Sequence, residues 1–264
     1  MNKLVPMKRW MINLNLSLHA LCYISLIAGV YFGTLLSCFY ILLVSIFIGI
    51  NEQAFFHRLL SHRSWDCPRW LKVFGIHVST LSLLGPVICW VSVHRQHHQY
   101  SDTEKDPHSP LFISRWRIQF LSSSFPFSIV YAADLVKNKI AFFYTRHYLS
   151  VIFLTWLAVS LVIGVEDFFL IWLAGTGLAI VLANITNSLN HGKIHWLVQS
   201  RENTKDYSIN NIVLGYLNFD GWHNNHHASP KKYYFGNKWW QLDFCGMYIW
   251  LLSTITGYKN LLRR

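Results

Sequence analysis

The feature that most constrains this chain is a run without charge. Between Trp10 and Asn51 there is no Asp, Glu, Lys or Arg. A helix rises about 1.5 Å per residue and the hydrocarbon core of a bilayer is about 30 Å thick, so about 20 residues span it. The run therefore holds two spans, over about 12–31 and 34–51, with Tyr31-Phe32-Gly33-Thr34 as the hairpin between them. A signal peptide fits poorly, because the run is far too long and has no small-x-small cleavage site. A second pair follows. Tyr148 to Val165 and Phe168 to Asn190 carry no charge and flank Glu166-Asp167, which predicts spans over 148–165 and 168–190.

The charges orient these spans. Lys and Arg number 23 against 12 Asp and Glu, a formal net charge of +11. Every base lies at 3–9, at 58–146 or from 193 onward, outside both hairpins. The positive-inside rule makes those segments cytoplasmic. The expectation is an all-α, multi-pass integral membrane protein, one domain over 1–264. It has four transmembrane helices in two hairpins, both termini inside, and a cytoplasmic helical cap built from 52–147 and 191–264. Only 13% of residues are charged and 53% are hydrophobic, which excludes a disordered chain or a solvated acidic tail. The lipid bilayer is the expected surrounding, the excess base is read as positive-inside bias, and no nucleic-acid partner is expected.

A fifth apolar run, Val73 to Val93, is about long enough to cross. Its flanks are basic (Arg69, Lys72, Arg95) and Gly85-Pro86 breaks it. It is expected to be a buried or shallowly inserted segment on the cytoplasmic side. The five cysteines form no C-x-x-C pair, so neither a disulfide framework nor a thiolate site is indicated. Lys231, Lys232 and Lys238 beside Trp239-Trp240 suit an anionic surface and ordinary positive-inside bias equally.

Fourteen histidines outnumber the acids. Eight fall in three boxes: His57-Arg58-Leu59-Leu60-Ser61-His62, His94-Arg95-Gln96-His97-His98 and His223-Asn224-Asn225-His226-His227. On a helix, residues advance about 100° each. His94, His97 and His98 then share an arc of about 100°, as do His223, His226 and His227. Three imidazoles on one face form a chelating arrangement. His57 and His62 lie about 140° apart on an ideal helix and converge only past a helix end or around a metal pair. Surface histidines would not recur in this pattern, and neighbouring imidazoles that bind metal escape mutual protonation. Eight ligands exceed one tetrahedral zinc and suit two metals with four to five nitrogens each. Imidazole accepts Fe, Zn, Cu or Ni, so spacing does not choose. His191 ends the fourth span where the boxes should meet, with Asn187 one turn before it. Position alone leaves His191 open as a ninth ligand. His19 and His77 are expected to be hydrogen-bonded core residues.

These segments resemble the membrane fatty acid desaturases, specifically the Δ9 acyl-CoA desaturase-like branch, the stearoyl-CoA desaturase type. The resemblance runs from about 30 to 258. It rests on HRLLSHRSW from His57, HRQHHQYSDTEKDPH from His94, NSLNH from Asn187, SREN from Ser200 and GWHNNHH from Gly221. It implies a four-helix stem under a cytoplasmic cap with a diiron centre. The implied ligands are His57, His62, His94, His97, His98, His191, His223, His226 and His227, with Asn187 reaching one iron through a water. It also implies two iron ions (Fe2+/Fe3+), O2 as co-substrate and a fatty acyl substrate carried on CoA, acyl-carrier protein or lipid. With no fused cytochrome b5-like domain, electrons are expected from ferredoxin, cytochrome b5 or a flavoprotein reductase; Arg115, Arg117, Lys137 and Lys139 suit docking of an acidic carrier and ordinary positive-inside bias equally.

The chemistry is coherent. An unactivated CH2–CH2 unit has no acidic hydrogen, so dehydrogenation needs an oxidant made from O2 at a redox metal. No catalytic residue beyond the metal ligands is expected. Trp65, Trp90 and Trp222 are candidates to line the acyl tunnel. Glu52, Asp66, Asp102, Asp106, Glu202 and Asp220 lie near the boxes, and at least two are expected to bond ligand histidines. A histidine-box hydroxylase of alkanes or lipids is the alternative, and a non-catalytic metal carrier the third.

Overall fold

A computed structural model of the chain describes residues 8–192, 199–200, 202–203 and 205–258; His195 lies outside the described residues. The first uncharged run forms α1 (Arg9–Phe32) and α2 (Leu35–Ser61), joined at Gly33-Thr34. The Thr34 hydroxyl accepts the Ser37 N–H and caps α2. Helix α2 does not stop at Asn51. It continues for ten residues, and that last stretch, Glu52–Ser61, is a π-helix. The expected boundary between span and cap at 51/52 is therefore no break in the chain, and α2 carries its direction straight into the histidines.

Two helices replace the apolar run 73–93: α3 (Arg69–Thr80) and α4 (Val87–Tyr100). Between them the chain turns at Leu83 (φ +59°) and Gly85 (φ +117°), and Pro86 precedes α4. The turn is pinned to α1. The Leu83 carbonyl accepts from Asn15 Nδ2 at 2.9 Å and from His19 Nε2 at 2.8 Å. A short helix α5 (Arg115–Leu121) follows, then α6 (Lys139–Arg146), whose N-terminus Asn138 caps. After His147 the axis bends by 76° into α7 (Tyr148–Ile163). Gly164 (φ +86°) leads into α8 (Val165–Leu189). Three helices, α1, α2 and α8, are long and apolar enough to cross a membrane. A fourth span exists if the bent α6–α7 pair counts as one, because α7 alone has 16 residues.

Helix α8 packs between α1 and α2, and small residues permit the approach. A Cβ at Gly175 would meet the side chain of Val44 on α2, and one at Gly177 would meet the backbone of Cys22 on α1. Outward faces stay apolar without cover: Leu35 is 89% and Val162 83% exposed. One core cluster lies among the spans around Cys22, Ile152, Leu173 and Ile180. A second lies beneath the histidines around Phe55, Phe56, Ile76, Val91 and Ile249.

The C-terminal segment adds α9 (Ile212–Leu217), α10 (His223–Ala228) and α11 (Phe244–Ile255). It also departs from an all-helical expectation. Gln199–Ser200 pairs antiparallel with Asn210–Asn211, and single bridges join His191 to Ser208 and Asn210 to Trp222.

Candidate metal centre

The π-helix resolves the weakest spacing in the sequence. With N–H groups bonding five residues back, positions five apart stack on one face. The His62 N–H donates to the His57 carbonyl at 3.1 Å, and the two rings lie 4.9 Å apart. The 140° separation of an α-helix does not apply. Helices α4 and α10 bring the other two boxes opposite.

The three faces do not converge on one point. They sort into two groups, in each of which the ligand nitrogens lie within 4.8 Å of one another. One group is His57, His62, His94, His98 and His226; the other is His97, His191, His223 and His227. The first box, His57 and His62, lies wholly in the five-histidine group, whereas the second and third boxes are split so that i,i+4 pairs share a group: His94 with His98, and His223 with His227. In the first group Nε2 atoms of His62 and His94 lie 2.8 Å apart, those of His57 and His226 3.0 Å, and those of His98 and His226 2.9 Å. In the second, His191 and His223 are 2.9 Å apart, His223 and His227 3.1 Å, and His97 and His227 3.3 Å. His191 is set past the end of α8 by its bridge to Ser208, not by the helix. Asn187 stays on α8 and lines a cavity together with His57 and His94.

The outward nitrogens explain this convergence. His97 Nδ1 donates to Asp106 at 2.8 Å, His191 to Asp102 at 2.9 Å, His223 to Asp220 at 3.0 Å and His227 to Asp206 at 2.8 Å. His57 Nδ1 donates to Gln53 Oε1 at 2.5 Å, and Gln53 in turn donates to Glu52. Hydrogen bonds to His191, Ser109 and the Tyr207 N–H hold the Asp102 carboxyl below the usual range against the opposing effect of burial. Asp106 is likewise held down by His97 and His108. An ionised carboxylate only accepts, so each partnered ring carries its proton on Nδ1 and turns a bare lone pair inward at Nε2. Lone pairs facing one another at 2.9–3.3 Å cannot hydrogen-bond; a cation between them reconciles them. Neighbouring imidazoles about 2.1 Å from a common ion would stand about 3 Å apart, the spacing seen here. The residues fit two metal ions.

Of the six acids near the boxes, Asp102, Asp106 and Asp220 bond ligand-candidate rings directly, and Glu52 reaches His57 only through Gln53. Asp66 pairs with Lys72 and Glu202 with Lys238 instead. Asp206 and Gln53 escaped the sequence reading. Asp206 lies nearer the third box than Glu202 does, yet no spacing distinguishes it. His108 was likewise unassigned. It stacks on His97 with centroids 4.1 Å apart, lines the cavity, and its buried Nδ1 has no partner.

The cavity has about 810 Å³ of empty space. Its walls include apolar Leu84, Val93, Ile118 and Phe125, and His57, His94 and Asn187 close one side. Trp90 lines it, stacked on His94. Trp65 and Trp222 are not among its lining residues. The Trp65 indole N–H donates to the Ala54 carbonyl and that of Trp222 to the Leu242 carbonyl, so both rings are locked in packing. Arg115 is also committed, donating to the Ser188 and His191 carbonyls.

Burial, then neighbouring imidazoles, push His94, His98, His226 and His227 well below the ordinary value of 6.5. Burial followed by Arg95 and Arg58 lowers His62 to about 3. His97 moves the other way: Asp106, Asp102 and Asp206 outweigh the effect of its burial. Where the folded pKa is depressed, the unfolded chain binds more protons as pH falls below 6.5. Stability is then lost with acid, by about 1.4 kcal/mol per pH unit for each buried neutral imidazole. Metal binding acts in the same direction because it needs neutral rings. Thermal melts of the full chain in micelles should fall steeply between about pH 7 and about pH 5; a flat profile would contradict the buried neutral cluster.

The fatty acid desaturase family matches residues 31–246. An acyl-CoA C20 Delta5-desaturase of Anemone leveillei is 35% identical over 75% of this chain and 64% of that protein. A chloroplastic palmitoyl-monogalactosyldiacylglycerol delta-7 desaturase of Arabidopsis thaliana is 35% identical over 76% of this chain and 55% of its own length. An sn-1 stearoyl-lipid 9-desaturase of Synechocystis is 32% identical over 81% and 67%. The matches span 55–65% of the first three curated relatives. All three histidine boxes and His191 fall inside the matched region, and the chain belongs to the fatty acid desaturase family.

Proposed function

We propose that this chain is an O2-dependent fatty acyl desaturase. It introduces a cis double bond, at Δ9, into a saturated acyl chain, with iron in both histidine groups and electrons from an external carrier. The observation that supports this reading best is the junction of cavity and histidines. The cavity lined by Leu84, Trp90, Val93, Ile118 and Phe125 also presents His57, His94 and Asn187, so a hydrocarbon held against its apolar residues would lie beside the metal positions. The overall change is CH2–CH2 + O2 + 2 electrons + 2 protons → CH=CH + 2 water. Iron, when bound, would supply the oxidising power that O2 needs to attack an unactivated C–H bond.

The chain's own residues do the rest. The nine histidines hold the metals, and the four aspartates fix the tautomer and aim of their rings. Asn187 faces the same cavity and would act through a water. Trp90, stacked on His94, forms a rigid wall that holds the acyl chain against the centre. The apolar lining excludes bulk water.

The same reading makes α7 with α6 the fourth span and the cap the cytoplasmic part of a single domain. Lys8, Arg9, Arg69, Lys72, Lys137, Lys139 and Arg146 lie at the histidine end of the helices, and Glu166 and Asp167 at the other, which supports both termini and the site inside. An acidic ferredoxin, cytochrome b5 or flavoprotein reductase would meet this basic end. The test is expression in a desaturase-deficient host, with fatty acid methyl esters read as dimethyl disulfide adducts. Acyl-CoA and acyl-lipid pools are both followed, since the relatives' names divide between them. A new cis-monounsaturated acid supports the reading and locates the bond. A hydroxy acid instead would make the chain a hydroxylase.

A further inference from the structure

The two histidine groups differ in more than number. In the group of His97, His191, His223 and His227, every ring donates to its own carboxylate: Asp106, Asp102, Asp220 and Asp206 in turn. In the group of His57, His62, His94, His98 and His226, no ring meets a carboxylate among the described residues. His57 donates to the neutral Gln53, and the buried Nδ1 of His226 has no partner. The nearest fixed charges there are cationic. Arg58 follows His57 in the chain, and Arg95, donating to the Leu60 and Ser61 carbonyls, sits beside His62.

We propose that the two sites load in order, the four-histidine site taking the first metal ion and holding it more tightly, and the five-histidine site taking the second. The inference rests on reading both groups as metal sites. Two opposing effects set the order. The five-histidine site offers one more nitrogen. The four-histidine site offers four carboxylates, each of which makes its ring a stronger donor and holds it in place. Loss of one such partner typically weakens metal binding about 10- to 100-fold, so four outweigh a single additional imidazole. The carboxylates also attract a divalent ion, whereas Arg58 and Arg95, each paired with an aspartate of its own (Asp243 and Asp134), give the five-histidine site no such attraction. Once the first ion is bound, its charge lies beside the five-histidine site, because His97 and His98 are adjacent residues that serve different groups. That repulsion weakens the second step further.

The consequence is a half-loaded chain with its one ion among the carboxylates. Asp206 is thereby a positioning residue for that ion, acting through His227.

The test is chelator competition on the metal-loaded full chain in micelles, with metal per chain counted as chelator rises. Two steps of one ion each, at least about tenfold apart in chelator, are expected. His62→Gln should delete the looser step and leave the tighter one in place. Asp206→Asn, which keeps the shape of the side chain, should move the tighter step about 10- to 100-fold toward weaker binding. Asp106→Asn repeats that test through His97 should Asp206→Asn not fold. Both ions leaving in one step, loss of the tighter step in His62→Gln, or an unmoved tighter step in both folded aspartate variants would each overturn the order. A wild-type chain that holds no metal would instead refute the metal-site reading itself.

Discussion

Replacing His226 with Ala is expected to abolish alkene formation and to leave one metal ion per chain. The ring occupies two edges of the five-nitrogen group at once, with Nε2 3.0 Å from that of His57 and 2.9 Å from that of His98. It is wholly buried, and Phe235 covers it at 4.3 Å between centroids. The other eight box and span-end rings are committed to one group or the other, and His108 stacks on His97 of the four-histidine group. Loss of a partner bonded only to a ligand costs about 10- to 100-fold, so loss of the ligand itself should exceed about a hundredfold in product. Metal analysis separates this from general unfolding, since the four-histidine group lacks His226 and should keep its ion. Product at the wild-type level with two ions retained would remove the five-histidine group from the chemistry.

The second large effect lies outside the histidines. Asp243→Ala should prevent recovery of folded chain. Arg58, fully buried beside His57, makes a two-pronged ion pair with Asp243 at 2.7 and 3.0 Å. It also donates to the Tyr233 and Phe219 carbonyls and lies 3.8 Å from the Phe235 ring centre. Asp243 in turn accepts the Phe235 N–H at 2.7 Å and caps α11 through the Gly246 N–H at 2.9 Å. Truncating it strands a buried cation, a cost of about 3–5 kcal/mol, and removes a helix cap worth about 1 kcal/mol. Folded domains typically hold only about 5–15 kcal/mol in all. The yield of monodisperse chain in detergent is the measurement. The paired change Arg58→Met with Asp243→Leu should restore part of that yield, because it leaves no charge uncompensated, although the Phe235 and Gly246 N–H groups and the Tyr233 and Phe219 carbonyls lose a partner. A single Asp243→Ala chain that behaves like wild type would show that the pair does not hold α2 to the C-terminal segment.

Much of the architecture was legible because the periodic signals are local. Uncharged runs gave α1 and α8 within a few residues and the start of α2, since hydropathy depends only on composition along the run, but α2 continues ten residues past its uncharged part. The split of 73–93 followed from Gly85-Pro86. The stretch 139–163 was less legible. Its uncharged part matches α7, yet the 76° bend at His147 and the shortness of α7 follow from packing. The i,i+4 pairs in α4 and α10 were readable because helical spacing alone puts them on one side. His57 and His62 were not, because a π-helix has no marker in the residues that form it and is sustained by what packs around α2.

Residue types and spacing thus determined the apolar helices, the three boxes and the class of metal chemistry, since each depends on neighbours within one or two turns. Only the tertiary structure decided how the histidines divide into five and four. It also decided which tryptophan faces the cavity and which acids stand behind the rings. Asp206 meets His227 across 21 residues, Asp102 meets His191 across 89, and Asp243 meets Arg58 across 185. Such pairings have no local signature: the energy that selects them is the cost of burying a charge or a ring proton without a partner, and that cost exists only once the chain has closed around it.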